Sequence, residues 1–461
     1  MFFSLGYLFG KFWVILLMRL NMKKIINFLG LIIMVLICVG CNKVNNEVVN
    51  NSNIDSNNKY IEGLVIYKDN DETLAVDNNQ VIYRLKGLEE DVDSYVKIFY
   101  DGQINKDTEA QDITIKNVEN VNDEFKLNSN FNNYEQAKEI VDNMSLEEAL
   151  GQIYMVHHSI NSLEDVKRYY LGGFIFFGAD FRNKTKEDVL NMVDKLNDNS
   201  KIPLLLAVDE EGGIVTRISS NPNLASERFK SPRELYKEGG FDLIRDDTIK
   251  KNEILEGLHL NINLAPVLDI SNDPKDYIYS RSIGLSPELT GVFAQTVIDA
   301  SKDSKISYVM KHYPGYGKNS DTHKSKSLDT RSMEEIESDL IPFSKGIQSG
   351  GEAIMISHNI VETLDSNNPA SISISNHNYL RNTLGFRGMV ITDALNMGAT
   401  ADIKNMGIKS LVSGNDILVT KNYKEDINNI LEGVSKGQVS SKYIRVLAIK
   451  VIEWKISKGL I

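Results

Sequence analysis

Eight short apolar runs, set apart by amphipathic stretches of helix length, constrain this chain more than any other feature. They are "IYMVHH" from Ile153, "GFIFF" from Gly173, "PLLLAVD" from Pro203, "INLAPVLD" from Ile262, "ISYVMKH" from Ile306, "AIMISH" from Ala353, "GMVITD" from Gly388 and "DILVT" from Asp416. The runs are continuously apolar, as parallel strands covered on both faces must be; a half-exposed strand would alternate. Segments such as "NYEQAKEIVDNMSLEEALGQI" and "TKEDVLNMVDKLNDN" carry the helical period between or before them. Eight such units over residues 131–461 predict an α/β fold of the (β/α)8 TIM-barrel type.

In such a barrel the chemistry sits at the C-terminal ends of the strands. Reading those ends gives His157 and His158, Asp209, Asp269, Lys311 and His312, His358, and Asp393. Six of the eight runs finish in an ionisable residue, so the polar ends converge on one rim.

The part before the barrel reads differently. Residues 59–120 hold short β-branched and aromatic runs broken by "KDND" and "DNNQ", which predict a small all-β domain, read as a spacer or cell-wall contact module. Residues 42–58 are rich in Asn and Ser with little to bury, a flexible tether. In residues 1–41, Met22-Lys23-Lys24 is a short basic region, Ile25 to Val39 an apolar run, and "CVGC" places a small residue before Cys41. That is the pattern of a bacterial lipoprotein signal with Cys41 as the lipidated residue, although Cys38 stands where leucine is usual; Met22 is the better start. The remainder is then expected outside the cytoplasm, anchored to the membrane. Cys38 and Cys41 are the only cysteines, so the exported part has neither a disulfide nor a Cys-based metal site. A net charge of −12 argues against binding nucleic acid through a basic face.

Several constellations on the predicted rim carry chemistry. Asp209 opens "DEEGGIVTR", and Arg217, eight residues on, could fold back to orient its carboxylate as an acceptor for sugar hydroxyls. Lys311 and His312 follow a strand directly, after which Pro314, Gly315 and Gly317 turn the chain away from helix; they read as donors to a hydroxyl pair. Arg281 in "YSRSIG" adds a cation. Asp393 ends a fully apolar strand; it reads as a helix N-cap or as a carboxylate nucleophile among cations. In "DTH", Asp321 can bond one ring nitrogen of His323 and raise the basicity of the other, a general acid/base pair titrating near neutrality, or His323 is plain surface. The histidines and aspartates together also admit a metal-dependent barrel hydrolase, although no strand ends in "HxH" and no "HExxH" occurs. A lipoprotein that captures glycans without cutting them is the non-enzymatic alternative.

Taken together, "AVDEEGG" with its arginine, "KHYPGYG" with "DTH", and "GFRGMVITDALNMG" resemble the β-N-acetylglucosaminidases of glycoside hydrolase family 3, the muropeptide-trimming type. The resemblance covers residues 131–461 as a single catalytic domain. It implies that Asp393 is the nucleophile and His323 the acid/base, paired with Asp321. It further implies that Asp209, Arg217, Arg281, Lys311 and His312 bind GlcNAc in the −1 subsite and that His358 lines it. The implied activity is retaining hydrolysis of terminal β-linked GlcNAc with no cofactor and no metal. Another sugar specificity, or phosphate replacing water as acceptor, are the alternatives within the family. Three departures stand out: Tyr316 where histidine or leucine is usual, Glu210 for a common glutamine, and a "KNS" segment one residue short before Asp321. The first two read as peripheral.

Overall fold

The computed structural model describes residues 59–108, 111–319, 321, 322 and 324–461. The signal segment, the tether, Cys41 and His323 lie outside the described residues. Residues 60–120 form a five-stranded antiparallel sheet: β1 (Tyr60–Lys68), β2 (Thr73–Val76), β3 (Ile82–Arg84), β4 (Tyr95–Gln103) and β5 (Asp112–Asn120), in spatial order β3-β2-β1-β4-β5.

The barrel strands follow in chain order. They are β6 (Tyr154–His157), β7 (Gly173–Phe176), β8 (Leu205–Val208), β9 (Ile262–Asn263) and β10 (Ser307–Tyr313), then, past the short outer strand β11 (Leu328–Asp329), β12 (Ala353–Ile356). After β13 (Ile360–Val361), which pairs with β11, come β14 (Met389–Thr392) and β15 (Leu418–Thr420). Each barrel strand lies parallel to its neighbours in sequence, β15 pairs with β6, and an Ile391–Ile417 bridge joins β14 to β15, so the ring closes. All eight predicted runs therefore become barrel strands. The run from Ile262 is the shortest, because Pro266 has no N–H to give to a ladder.

Helix starts follow local chemistry. Reciprocal capping boxes stand at Ser145 with Glu148, Thr185 with Asp188, Ser231 with Glu234 and Ser332 with Glu335, each satisfying two orphan N–H groups at the entry to a helix. The box at Ser145 splits the first predicted helical segment into Tyr134–Asp142 and Leu146–Gln152.

The N-terminal sheet is no free spacer. Leu64, Ile66, Leu74, Val76 and Ile82 on one face belong to the same apolar core as Tyr443, Leu447 and Trp454 of the C-terminal helix Ser441–Ser457. Asp93 accepts from Lys442 N (2.9 Å) and Ser441 Oγ (2.8 Å) at that helix's start, where the dipole favours a carboxylate. Fully buried Lys450 reaches Gln80 Oε1 of the sheet (2.8 Å) and both carboxylate oxygens of Asp416 (2.9 Å), which Arg381 also holds.

Lys455 on the same helix is fully buried with Gln152 Oε1 at 2.8 Å, and burial lowers its pKa from 10.5 to about 7. The folded state thus binds fewer protons than the unfolded state between those values, and stability must rise with pH across that window. Between about pH 7 and about pH 9, urea unfolding of the wild type should gain roughly 2 kcal/mol more than Lys455→Met does. Parallel pH curves for the two proteins would refute the assignment.

Candidate active site

The C-terminal ends of the strands surround an open cavity of about 1170 Å³, mouth included. Its lining includes His157, Phe177, Asp209, Glu211, Arg217, Tyr277, Arg281, Lys311, His312, Asp393 and Lys421. Asp209, Arg217, Arg281, Lys311, His312 and Asp393, all expected on the rim, are thus brought to one place.

The floor is an ion network. Lys311, within β10 and with its side chain 2% exposed, donates from Nζ to Asp209 Oδ1 and Glu211 Oε1, both at 2.7 Å. Arg281 grips Glu211 with two bonds, Nε to Oε2 at 2.9 Å and an Nη to Oε1 at 2.7 Å. Arg217 approaches Asp209 at 3.7 Å, the fold-back that the eight-residue spacing suggested. Burial pushes the Glu211 carboxyl up, but the Arg281 and Lys311 charges outweigh it and hold the pKa far below the usual range. Glu211 is the residue that motif reading passed over. Its signal was present, since it stands two residues after Asp209 in an acidic triplet.

His312 needs a correction. Asp269 Oδ2 takes its Nδ1–H (2.7 Å) and its backbone N–H (3.2 Å), so Nε2 carries the lone pair, and that accepts from Arg281 (3.2 Å). Both nitrogens are engaged; His312 orients Arg281 and is not a free donor to a hydroxyl. Asp269, known beforehand only as a strand end, holds this wall in place with 1% exposure.

Asp393 follows β14 directly. Its backbone N–H donates to Ile356 O (2.9 Å), and its Oδ1 accepts from Ala394 N (2.8 Å), leaving the half-buried carboxylate at the cavity wall. No helix begins at Asp393, so the N-cap reading fails and the side chain faces the cavity. His358 needs the second correction. It is fully buried behind the wall, with Nε2–H donating to Ala394 O (3.0 Å) and Nδ1 accepting from Ser371 Oγ (2.7 Å). It therefore braces the loop bearing Asp393 and does not line the subsite.

The paired histidines after β6 separate, as side chains on alternate faces must. His157 enters the cavity against Phe177 (ring centroids 4.8 Å), while His158 turns to Asp180 (2.8 Å). Burial, then the nearby Lys421 charge, lowers the His157 pKa to about 4, so its ring is neutral at neutral pH. Asp321 lies 3.5 Å from Lys324 Nζ. Among the described residues no group of three or more His, Cys, Asp or Glu is placed to hold a metal ion.

The two departures read as peripheral are interior. Glu210, 1% exposed, accepts from the N–H groups of Arg217 (2.8 Å), Ile218 (2.7 Å) and Ser219 (3.3 Å), and so shapes the loop that carries Arg217. A glutamine could accept there from one side only, so the carboxylate suits three converging donors. Tyr316, 1% exposed, packs edge-on to His312 (5.4 Å) and takes Asp269 Oδ1 at its backbone N–H (2.7 Å).

A closed parallel barrel with an acid and paired cations at its C-terminal rim defines a barrel enzyme with a carboxylate-centred site. Residues 145–453 match the model of the glycosyl hydrolase family 3 N-terminal domain, and the chain belongs to that family; it is a glycoside hydrolase. It is 28% identical over 315 residues to a beta-hexosaminidase of Actinobacillus pleuropneumoniae serotype 5b (strain L20), covering 64% of this chain and 88% of that one. Beta-hexosaminidase LpqI of Mycobacterium tuberculosis is 26% identical over 304 residues, covering 63% of this chain and 77% of that one. Among solved structures, a family 3 β-N-acetylglucosaminidase from Paenibacillus sp. str. FPU-7 superposes with a TM-score of 0.65 at 24% identity, over 69% of this chain and 63% of that one, a likeness of fold.

Proposed function

We propose that this glycoside hydrolase is a retaining, exo-acting β-N-acetylglucosaminidase that removes terminal β-linked GlcNAc, with peptidoglycan fragments as the natural source. The observation that carries the reading is Asp393 at the cavity wall above the network of Asp209, Glu211, Arg217, Arg281 and Lys311. Fixed carboxylates and cations of this kind suit sugar hydroxyls, and the names of the curated relatives support β-GlcNAc as the sugar.

In the first step an Asp393 oxygen bonds to C1 of the sugar as the C1–O bond breaks, and the leaving oxygen takes a proton from His323. In the second, water attacks C1 while His323 takes its proton, and the bond to Asp393 breaks; two inversions give retention. The acid role is assigned to His323 on the resemblance of its "DTH" motif, with Asp321 two residues before it in the chain; His157, kept neutral, is not suited to that role.

Incubating the protein with an aryl β-GlcNAc and following products by NMR tests the reading: β-GlcNAc should appear first and mutarotate. Release of the α-anomer, or sugar binding without turnover, would count against it. The same assay with added phosphate should yield no sugar 1-phosphate, and EDTA should leave the rate unchanged. The proposal also includes anchoring outside the cytoplasm through lipidated Cys41. Cys41→Ala should move activity from the membrane fraction to the soluble exported fraction; undiminished membrane retention would remove the anchor from the proposal.

A further inference from the structure

Between Lys311 and Thr322 the chain leaves the sugar-binding wall and reaches the segment that carries Asp321 and His323. Tyr316 is the side chain that ties these two regions together. Its backbone N–H is held by Asp269 Oδ1 at 2.7 Å, and the other oxygen of the same carboxylate holds His312. Its ring lies against His312 on one side and Tyr277 on the other, with centroids 5.4 and 5.5 Å away. With Val267 and Ile278 it forms a small apolar cluster separate from the main core.

At the far end of the ring, the phenol oxygen meets Thr322. It accepts the Thr322 backbone N–H at 3.3 Å and bonds the Thr322 hydroxyl. Thr322 is fully buried, and its carbonyl accepts from Ala399 N at 3.1 Å, on the loop that follows Asp393. Thr322 is thus pinned from two sides, by a tyrosine of the wall and by the loop beyond the nucleophile, with Asp321 and His323 as its chain neighbours. Buried donors and acceptors of a polar residue hold its position only while each has a partner.

We infer that Tyr316 is a positioning residue for proton transfer: it fixes Thr322, the chain neighbour of both Asp321 and His323. The inference rests on the acid/base role proposed above.

Tyr316→Phe keeps the ring packing and removes both phenol contacts. Its effect should depend on how much the leaving group needs a proton. For an alkyl β-GlcNAc, kcat/KM should fall by about tenfold or more, a part of the 10²- to 10⁴-fold that a general acid supplies. For a dinitrophenyl β-GlcNAc, whose leaving group departs as a stable anion, the first chemical step should stay within about twofold of wild type. Equal losses on the two substrates, or no loss on either, would overturn the inference. Thr322→Val, which removes the hydroxyl and leaves Tyr316 in place, must show the same split, and decides the matter if Tyr316→Phe fails to fold. A wild type that cleaves neither glycoside would sink the proposed function instead, so the two failures are distinguishable.

Discussion

On the proposed mechanism, Asp393→Ala should lower turnover of an aryl β-GlcNAc by about 10⁴-fold or more, because the carboxylate that would form the covalent intermediate is gone. The reason is positional. Asp393 stands at the end of a wholly buried strand, with its backbone N–H tied to Ile356 O and its loop braced by His358, so the carboxylate is presented to the cavity in one place. The neighbouring carboxylates cannot substitute. Asp209 and Glu211 are each held at 2.7 Å by Lys311, and Glu211 is gripped again by Arg281. Added azide should restore part of the rate to the alanine variant and give a glycosyl azide of inverted configuration, since a small anion can enter where the carboxylate was. Residual activity above about one part in a hundred, with an unchanged fold by circular dichroism, would mean that the nucleophile is elsewhere.

How much of this was legible beforehand varied with the kind of information needed. The eight strands were readable because burial on both faces demands continuous apolar runs, a demand written into each run independently. Strand ends located the rim and its chemistry for the same reason. What strand ends cannot convey is which way a side chain turns. His157 and His158 are adjacent in sequence yet face different environments, and His358 falls behind the wall by the same alternation. Partners across the barrel are equally invisible along the chain. Asp269 looked like one more strand end, and nothing near it in sequence says that it fixes both His312 and Tyr316. Glu210 and Tyr316 were underestimated because unusual residues in a motif look incidental until their depth is known; both prove to be interior. The N-terminal sheet was recognisable as β-structure, but its second apolar face gained meaning only against the C-terminal helix.

Lys311→Met should cost about 3–5 kcal/mol of unfolding free energy, the penalty for removing one partner of a buried ion network. The methionine fills most of the volume, so the loss is electrostatic. Among the described residues Asp209 keeps Arg217, at 3.7 Å, and Glu211 keeps Arg281. Activity should fall with stability, because Asp209, proposed to bind the sugar, loses the bond that fixes its carboxylate at the cavity wall. The pH dependence gives the charge its signature. Glu211 has a depressed pKa in the folded state, so its contribution is present above its unfolded pKa near 4.5 and is lost as pH falls below that value. The gap between wild type and Lys311→Met should therefore be full near neutrality and narrow only as pH falls well below 4.5, toward the depressed folded pKa of Glu211. Urea unfolding at about pH 7 and at the lowest pH the fold tolerates measures both points. A gap that stays constant with pH would assign the loss to packing, and the network would then have no electrostatic hold on the site.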